Sequence, residues 1–201
     1  MTNKQPSFFA AWLRQPGVIG AIQSSSRALA AAMTAAAGLN GARVVVEFGA
    51  GTGAITRTIL RQLAPHARLL VFETNPAFQD WLRSSFRDPR VTVVSQGAAH
   101  LSAVLTDHGI DHADCILSGI PFQALPPAET RAILQSARRS MAAHSTFVAF
   151  QYTAYQEPTF RRAFDQVELV RRVWWNLPPA RVYRCRIANA AEVRGTERAP
   201  S

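Results

Sequence analysis

From residue 43 onward the chain alternates short runs of aliphatic and β-branched residues with longer segments whose apolar positions recur every three or four residues. The runs predict strands over 43–48, 68–73, 91–95, 113–118, 145–152, 167–175 and 180–188. The periodic segments predict helices over 53–63, 76–86, 99–107, 127–141 and 157–164. Such alternation implies an α/β fold, a mostly parallel sheet covered on both faces. The last two strands are joined by Asn176-Leu177-Pro178-Pro179, too short for a crossover helix, so they are expected to form an antiparallel hairpin at the sheet edge.

The pattern before residue 43 is different. Residues 7–15 lie between Pro6 and Pro16, with Ser7 placed to cap a short helix. At 100° per residue, Phe8, Phe9, Trp12 and Leu13 fall within an arc of about 140°, opposite Arg14 and Ala10. A helix of that kind either packs on its own domain or lies in a lipid interface. Next comes a bend through Gly17 and Gly20, then an alanine-rich helix capped by Ser24-Ser25-Ser26, running to Ala37 and stopped by Gly38. The organisation expected is N-terminal amphipathic and lid helices over 1–38, one ligand-binding domain over 39–189, and a disordered polar tail over 190–201.

The chemistry concentrates where the first strand ends. Val44-Val45-Val46-Glu47-Phe48 runs into Gly49, Gly51 and Gly53, and an apolar-periodic segment follows. Glycine permits positive φ and lets a ligand lie against bare peptide. The spacing is G-x-G-x-G after an acid, not the G-x-G-x-x-G of dinucleotide folds. Glu47 suits a ligand that carries a cation, such as S-adenosylmethionine with its ammonium and sulfonium. The second strand also ends in an acid, Glu73, about 20 residues past the glycines, where a βαβ nucleotide site holds its ribose. An ordinary turn and an exposed strand end would explain either feature alone; together they favour a cofactor site.

The chain has 201 residues and 22 Lys and Arg against 13 Asp and Glu, a net charge of +9. The surplus favours an anionic partner, nucleic acid or an anionic membrane surface. No apolar stretch reaches the ~20 residues of a membrane span, and no secretory leader is expected. Cys115 and Cys185 lack metal or redox spacing and read as buried thiols in a reducing compartment.

The run E-F-G-A-G-T-G at 47–53 resembles the first motif of class I S-adenosylmethionine-dependent methyltransferases. Four further stretches carry a narrower likeness: 16–30 (P-G-V-I-G-A-I-Q-S-S-S-R-A-L-A), 118–126 (S-G-I-P-F-Q-A-L-P), Gln151-Tyr152-Thr153 and 176–180 (N-L-P-P-A). With these the chain is similar to bacterial phosphatidylethanolamine N-methyltransferases of the rRNA-adenine-dimethylase-like branch. The resemblance implies a seven-stranded Rossmann-like sheet and methyl transfer to the head-group amine of phosphatidylethanolamine, in successive rounds toward phosphatidylcholine. It implies that Glu47, Gly49, Gly51 and Gly53 hold the methionine part of the cofactor and Glu73 its ribose. Gly97 and Ala98 would flank the adenine, and Ser118 would line the transfer site. Gly97 stands where related loops carry Asp. Ser118-Gly119-Ile120-Pro121-Phe122 replaces the N-L-P-Y-like box of the adenine dimethylases, which argues against nucleic acid.

Methyl transfer needs alignment, exclusion of water and a neutral amine. Tyr152 and Tyr155, after the fifth strand, are candidates to contact that amine, a tyrosine ring holding a methylated ammonium by roughly 0.5–2 kcal/mol; the bland reading of Tyr152 is a half-buried strand residue. His100 and His144 are weaker candidates for a base. Asp107, Asp111 and Asp114 with His108 and His112 superficially resemble a metal site, but read as a solvated loop, so no metal is expected. Arg181, Arg184 and Arg186 are read as sharing one face of the last strand, either facing a lipid phosphate or protecting an edge. Of the adjacent Trp174 and Trp175, one is expected to point inward. Phe8, Phe9, Trp12, Leu13, Ile19 and Phe122, flanked by Lys4 and Arg14, form the expected substrate and membrane face. The protein is thus expected to be a monomer, cytoplasmic and peripheral to the inner membrane, binding anionic phospholipid and not nucleic acid. An RNA or small-molecule methyltransferase and a non-catalytic membrane-remodelling protein are the alternatives.

Overall fold

A computed structural model describes residues 19–174 and 179–188. Lys4, Phe8, Phe9, Trp12, Leu13, Arg14, Trp175 and the tail over 190–201 lie outside the described residues, so the expectations placed on them rest on sequence alone. The strands are β1 (Val44–Phe48), β2 (Arg68–Phe72), β3 (Val91–Val94), β4 (Ala113–Ser118), β5 (Met141–Gln151), β6 (Gln166–Val173) and β7 (Ala180–Arg186). The helices are α1 (Ile19–Ala37), α2 (Ala54–Leu60), α3 (Pro76–Ser85), α4 (Leu101–Asp107), α5 (Pro127–Arg139) and α6 (Glu157–Ala163). Short 3₁₀ turns cover Ala98–His100 and Phe122–Ala124.

The seven strands form one sheet in the order β3-β2-β1-β4-β5-β7-β6. Strands β1 to β5 pair in parallel, while β7 runs antiparallel to both β5 and β6. The expected terminal hairpin is therefore present. The order reverses at β1 and β4, the switch point where α/β sheets bind ligands at the carboxyl ends of their strands.

Both faces of the sheet are covered, which is why the central strands read as unbroken apolar runs. On one face Val46, Phe48, Leu70, Phe72, Ile116 and Phe147 pack under α4, α5 and α6. On the other Val45, Leu69, Val71, Leu117, Val148 and Val182 pack against α1, α2 and α3. Each fully buried side chain of this size contributes roughly 1.5–3 kcal/mol. Both cysteines are free and buried, as expected, and burial pushes their thiols up to about 11 (Cys115) and about 12 (Cys185).

The elements differ from their predicted bounds in informative ways. Helix α1 begins at Ile19, so Ser24-Ser25-Ser26 lie inside it and do not cap it. Gly20 costs about 1 kcal/mol against alanine, an amount that the alanine-rich remainder offsets. Helix α2 ends at Leu60 and not at 63. The Arg90 guanidinium donates to the carbonyls of Leu60 (3.3 Å) and Leu63 (2.7 Å) and so terminates it with a cation. Strand β5 starts at Met141, ahead of its predicted start at 145. Met141 pairs with Ala113, and the register then slips before Thr146 pairs with Cys115. Ser145 Oγ spans the bulge, accepting from Ala142 N (2.9 Å) and donating to Ala113 O (2.7 Å).

Strand β7 corrects the arginine reading. Arg181 stands beside Gln151 and Arg184 beside Val148. Alternation puts Arg181 on the face of Tyr183 and Cys185, and puts Arg184 and Arg186 on the opposite face. Arg184 donates to Glu168 at 2.6 Å. Trp174, just past the end of β6, is 67% exposed and does not point inward.

Candidate active site

The glycine loop forms where β1 leaves the sheet. Gly49, Gly51 and Gly53 have φ of 69°, 54° and 80°, a region that L side chains rarely adopt. Two of the three are also constrained by space. A Cβ on Gly53 would sit 2.4 Å from the Phe86 ring, so this glycine lets α2 and the end of α3 close together. Gly49 faces Ile120 of the loop after β4, 3.2 Å from a built Cβ. Around Gly51 a Cβ would meet nothing within 4 Å, which leaves the middle of the loop open to a ligand. Gly49 N donates to Phe72 O (2.8 Å) and Gly119 N to Phe48 O (2.8 Å), so the loop is stitched to the ends of β2 and β4.

Two carboxylates frame this loop. Glu73, buried at the end of β2, accepts from Gly51 N (2.9 Å) and Asn75 N (2.9 Å). Gln79 Nε2 donates to the Glu73 carbonyl at 2.8 Å and fixes its backbone. A carboxylate has about four acceptor sites, so Glu73 keeps capacity for a pair of hydroxyls. Glu47 is fully buried. Its Oε2 accepts from Thr56 Oγ1 (2.6 Å), and its Oε1 has no partner among the described residues. Burial lifts its pKa from 4.5 to about 7 against the Thr56 hydrogen bonds, and the nearby Glu73 charge adds to the rise. A buried carboxylate with one idle oxygen is costly unless a cation or donor completes it. An ammonium-bearing cofactor on the glycine loop would do so. The spare acceptor capacity of Glu73 would take the hydroxyls of a ribose. The residues present therefore fit S-adenosylmethionine.

Gly97 precedes the 3₁₀ turn with φ −67°, and a Cβ there would meet nothing within 4 Å. Its backbone does not require glycine; the open space beside it is what suits a flat base. Ala98 is buried. His100 ends the same turn and is exposed.

Ser118 and Gln151 close the far side, at the ends of adjacent strands. Ser118 is fully buried and its Oγ accepts from Ile120 N (3.3 Å). Gln151 Nε2 donates to Ile120 O (3.1 Å), while its buried Oε1 has no partner among the described residues. Sequence reading assigned Gln151 no role, although its position at the predicted end of β5 was the signal. Tyr152 is half-buried and packs edge-on against Phe150, 5.4 Å between ring centres. Tyr155 is 80% exposed.

Phe122 does not line the site. It is 1% exposed and meets Phe160 of α6 edge-on at 5.7 Å. The 3₁₀ turn after Pro121 carries the ring down into the core, so no substrate can stack on it. His144 is at the opposite edge of the sheet, in the bulge near the start of β5, beyond the roughly 16 Å of regular strand that separates Thr146 from Gln151. That distance removes it as a base. A groove of about 300 Å³ lies at that opposite edge too, lined by Arg161, Asp165, Arg184 and Arg186 among others. It is remote from the glycine loop.

No family model matches the chain. Over 148 residues it is 37% identical to an ornithine lipid N-methyltransferase of Singulisphaera acidiphila, across 72% of this chain and 76% of that enzyme. The chain belongs to this lipid N-methyltransferase family. Among solved structures, a 1,6-didemethyltoxoflavin N1-methyltransferase of Burkholderia thailandensis with bound S-adenosylhomocysteine superposes with a TM-score of 0.66 at 18% identity, over 94% of this chain and 93% of that one. The magnesium protoporphyrin IX methyltransferase of Synechocystis with bound S-adenosylmethionine gives 0.63 at 12% identity, over 93% and 87%. Those likenesses establish the class I methyltransferase fold. The cofactor of this family member is S-adenosylmethionine.

Proposed function

We propose that this lipid N-methyltransferase family member methylates the primary amine of a phospholipid head group, phosphatidylethanolamine, at an anionic membrane surface. In this reading it is a monomer, peripheral to the cytoplasmic face of the inner membrane. The observation that carries it is where apolar surface is left exposed. The exposed large hydrophobic residues among those described are Trp81, Tyr155 and Trp174, and all three belong to segments at the carboxyl edge of the sheet. Trp81 Nε1 donates to Thr52 O of the glycine loop at 3.2 Å, so one tryptophan stands at the mouth of the cofactor site. Trp and Tyr suit a lipid–water boundary, with an apolar body and a polar tip. The cationic surplus adds attraction to anionic lipid of about 1 kcal/mol per Lys or Arg near the surface. Among the described residues no helix is long and apolar enough to cross a membrane.

The chemistry follows from the site residues. When bound, the cofactor supplies an electrophilic methyl on a sulfonium. Glu47 and the glycine backbone would hold its charged amino-acid end, Glu73 its ribose, and Gly97 and Ala98 the base. The idle Gln151 Oε1 accepts an N–H of the incoming amine and turns the nitrogen lone pair toward the methyl. Ser118 and the Ile120 carbonyl, tied through Gln151 Nε2, keep that acceptor fixed. Gln151 cannot itself take a proton, so the ammonium's proton would pass to water at the rim before transfer, leaving the amine neutral. The Tyr152 ring would also hold the methylated ammonium product.

A second reading has a specific observation behind it: the 37% identical relative acts, by its name, on ornithine lipid. That head group also presents an amine, beside a carboxylate instead of a phosphodiester. The test is incubation of the full chain and methyl-labelled cofactor with vesicles containing phosphatidylethanolamine or ornithine lipid, and separately with rRNA. Label in mono- and dimethylated phosphatidylethanolamine is expected. Label in ornithine lipid alone would move the assignment to the second reading. Label in neither lipid from a protein that binds S-adenosylhomocysteine would overturn both.

A further inference from the structure

A cluster at the edge of the sheet away from the cofactor is unused by methyl transfer. His112 ends the loop before β4, Asp114 is the second residue of β4, and His144 lies in the bulge of β5. Asp114 Oδ1 is 3.6 Å from His112 Nε2 and 3.2 Å from His144 Nε2. The three atoms lie within 4.8 Å of one another. The two imidazoles stand edge-on, 84° apart with centres separated by 5.3 Å, so their ring nitrogens converge without stacking. The other residues that sequence reading grouped here, Asp107, Asp111 and His108, do not join the cluster.

We propose that His112, Asp114 and His144 form a binding site for a divalent transition-metal ion of the zinc class. Two imidazole nitrogens and a carboxylate oxygen are a ligand set that such ions use. Ligand atoms about 2.1 Å from one ion in tetrahedral geometry are about 3.4 Å apart, and the two separations from Asp114 bracket that figure. The gap between the two histidines needs a small rotamer adjustment, open to rings whose side chains are 40% and 65% exposed. Solvent supplies the remaining position.

The carboxylate is also prepared for the role. Its second oxygen, Oδ2, accepts from Arg43 N (2.8 Å) and Val44 N (2.9 Å), which aims Oδ1 at the histidines. Ligating carboxylates are typically fixed by such outer hydrogen bonds. Partial burial works against ionising Asp114, but the two backbone N–H groups, with His144 and His112, outweigh it and hold the carboxyl below its ordinary pKa. The ion would join the start of β1, the start of β4 and the bulge of β5 at one point. That site is about 13 Å along β4 from Ser118, so its role is to brace the sheet and not to react.

The test titrates zinc chloride into the untagged, chelator-treated full chain by calorimetry, with thermal melts in parallel. The wild type is expected to bind one ion per chain with a low-micromolar or tighter Kd and to melt higher with zinc. The double variant His112→Ala/His144→Ala should lose at least about 100-fold in affinity and the zinc-dependent shift, while still binding S-adenosylhomocysteine, which reports that it is folded. His66, His100 and His108 remain in that variant and control for scattered surface imidazoles. Cobalt substitution should give visible d–d absorption in the wild type alone. No zinc heat with the wild type, or affinity within tenfold in the double variant, would overturn the site and leave an ordinary His–Asp hydrogen-bonded pair.

Discussion

Glu47 carries an energetic tension that a cation on its idle oxygen would relieve. Its carboxyl is protonated in both the folded and unfolded chain below pH 4.5. Between 4.5 and about 7 the folded protein holds a proton that the unfolded chain has lost, so stability falls as pH rises through that window. Above pH 7 the full penalty is present, about 3 kcal/mol at 1.36 kcal/mol per unit. Glu47→Gln is therefore expected to match the wild type near pH 4 and to exceed its stability at pH 8 by up to about 3 kcal/mol, while binding S-adenosylmethionine at least tenfold more weakly; urea melts and calorimetry at the two pH values check both halves. The glycines make a sharper contrast. A Cβ on Gly119 would lie 2.8 Å from the Gly49 carbonyl, a backbone atom that cannot swing away. Gly119→Ala should cost about 2 kcal/mol and cofactor binding with it. Gly51→Ala meets open space and adds only the left-handed backbone strain of about 1 kcal/mol. At this scale the sequence made Glu47, Glu73 and the glycine run legible, because an acid at a strand end and positive-φ glycines are local signals. Gln151 was not legible, since what marks it is a buried oxygen with nothing to accept, which only packing reveals. Gln151→Leu should lower kcat about a hundredfold with S-adenosylhomocysteine affinity unchanged, read by single-turnover transfer and calorimetry.

At the scale of elements, the alternation of strand and helix gave every strand in order, and the short link to β7 predicted the antiparallel edge. What misled were places where a distant partner decides. Helix α2 stops where Arg90, thirty positions along the chain from Leu60, reaches its carbonyls. Arg90→Ala is expected to destabilise the fold by about 2 kcal/mol and to speed amide exchange over 60–64, measured by urea melts and hydrogen exchange. Strand β5 hid its first residues because Ala142, Ala143 and His144 sit in a bulge and lack the apolar alternation of a strand. Phe122 looked like a ligand platform because its box follows a strand end. The 3₁₀ turn that buries it depends on Phe160, a partner far along the chain.

Across the whole molecule, chemistry is segregated by sheet edge. The carboxyl edge holds the glycine loop, both acids and the exposed aromatics, while the amino edge holds His112, Asp114, His144 and the arginine-lined groove. On the proposed membrane reading, this polarity predicts edge-on docking. Trp174→Ser removes apolar surface that no cofactor contact needs. Losing one exposed aromatic that the proposal buries in lipid, roughly 1.5–3 kcal/mol, predicts at least tenfold weaker binding to anionic vesicles in a co-sedimentation assay, with S-adenosylhomocysteine affinity unchanged. Unchanged co-sedimentation would count against edge-on docking. Removing residues 1–15 tests the aromatic segment expected from sequence in the same assay.

Gly109, in the exposed turn between α4 and β4, turns the chain at φ 63° on the side opposite the acids. A dye or surface tether introduced beside that turn would hang into bulk solvent when the opposite rim touches lipid. On the proposed membrane reading, it thus offers a handle for watching whether single molecules land on and leave a bilayer, placed away from the candidate active site.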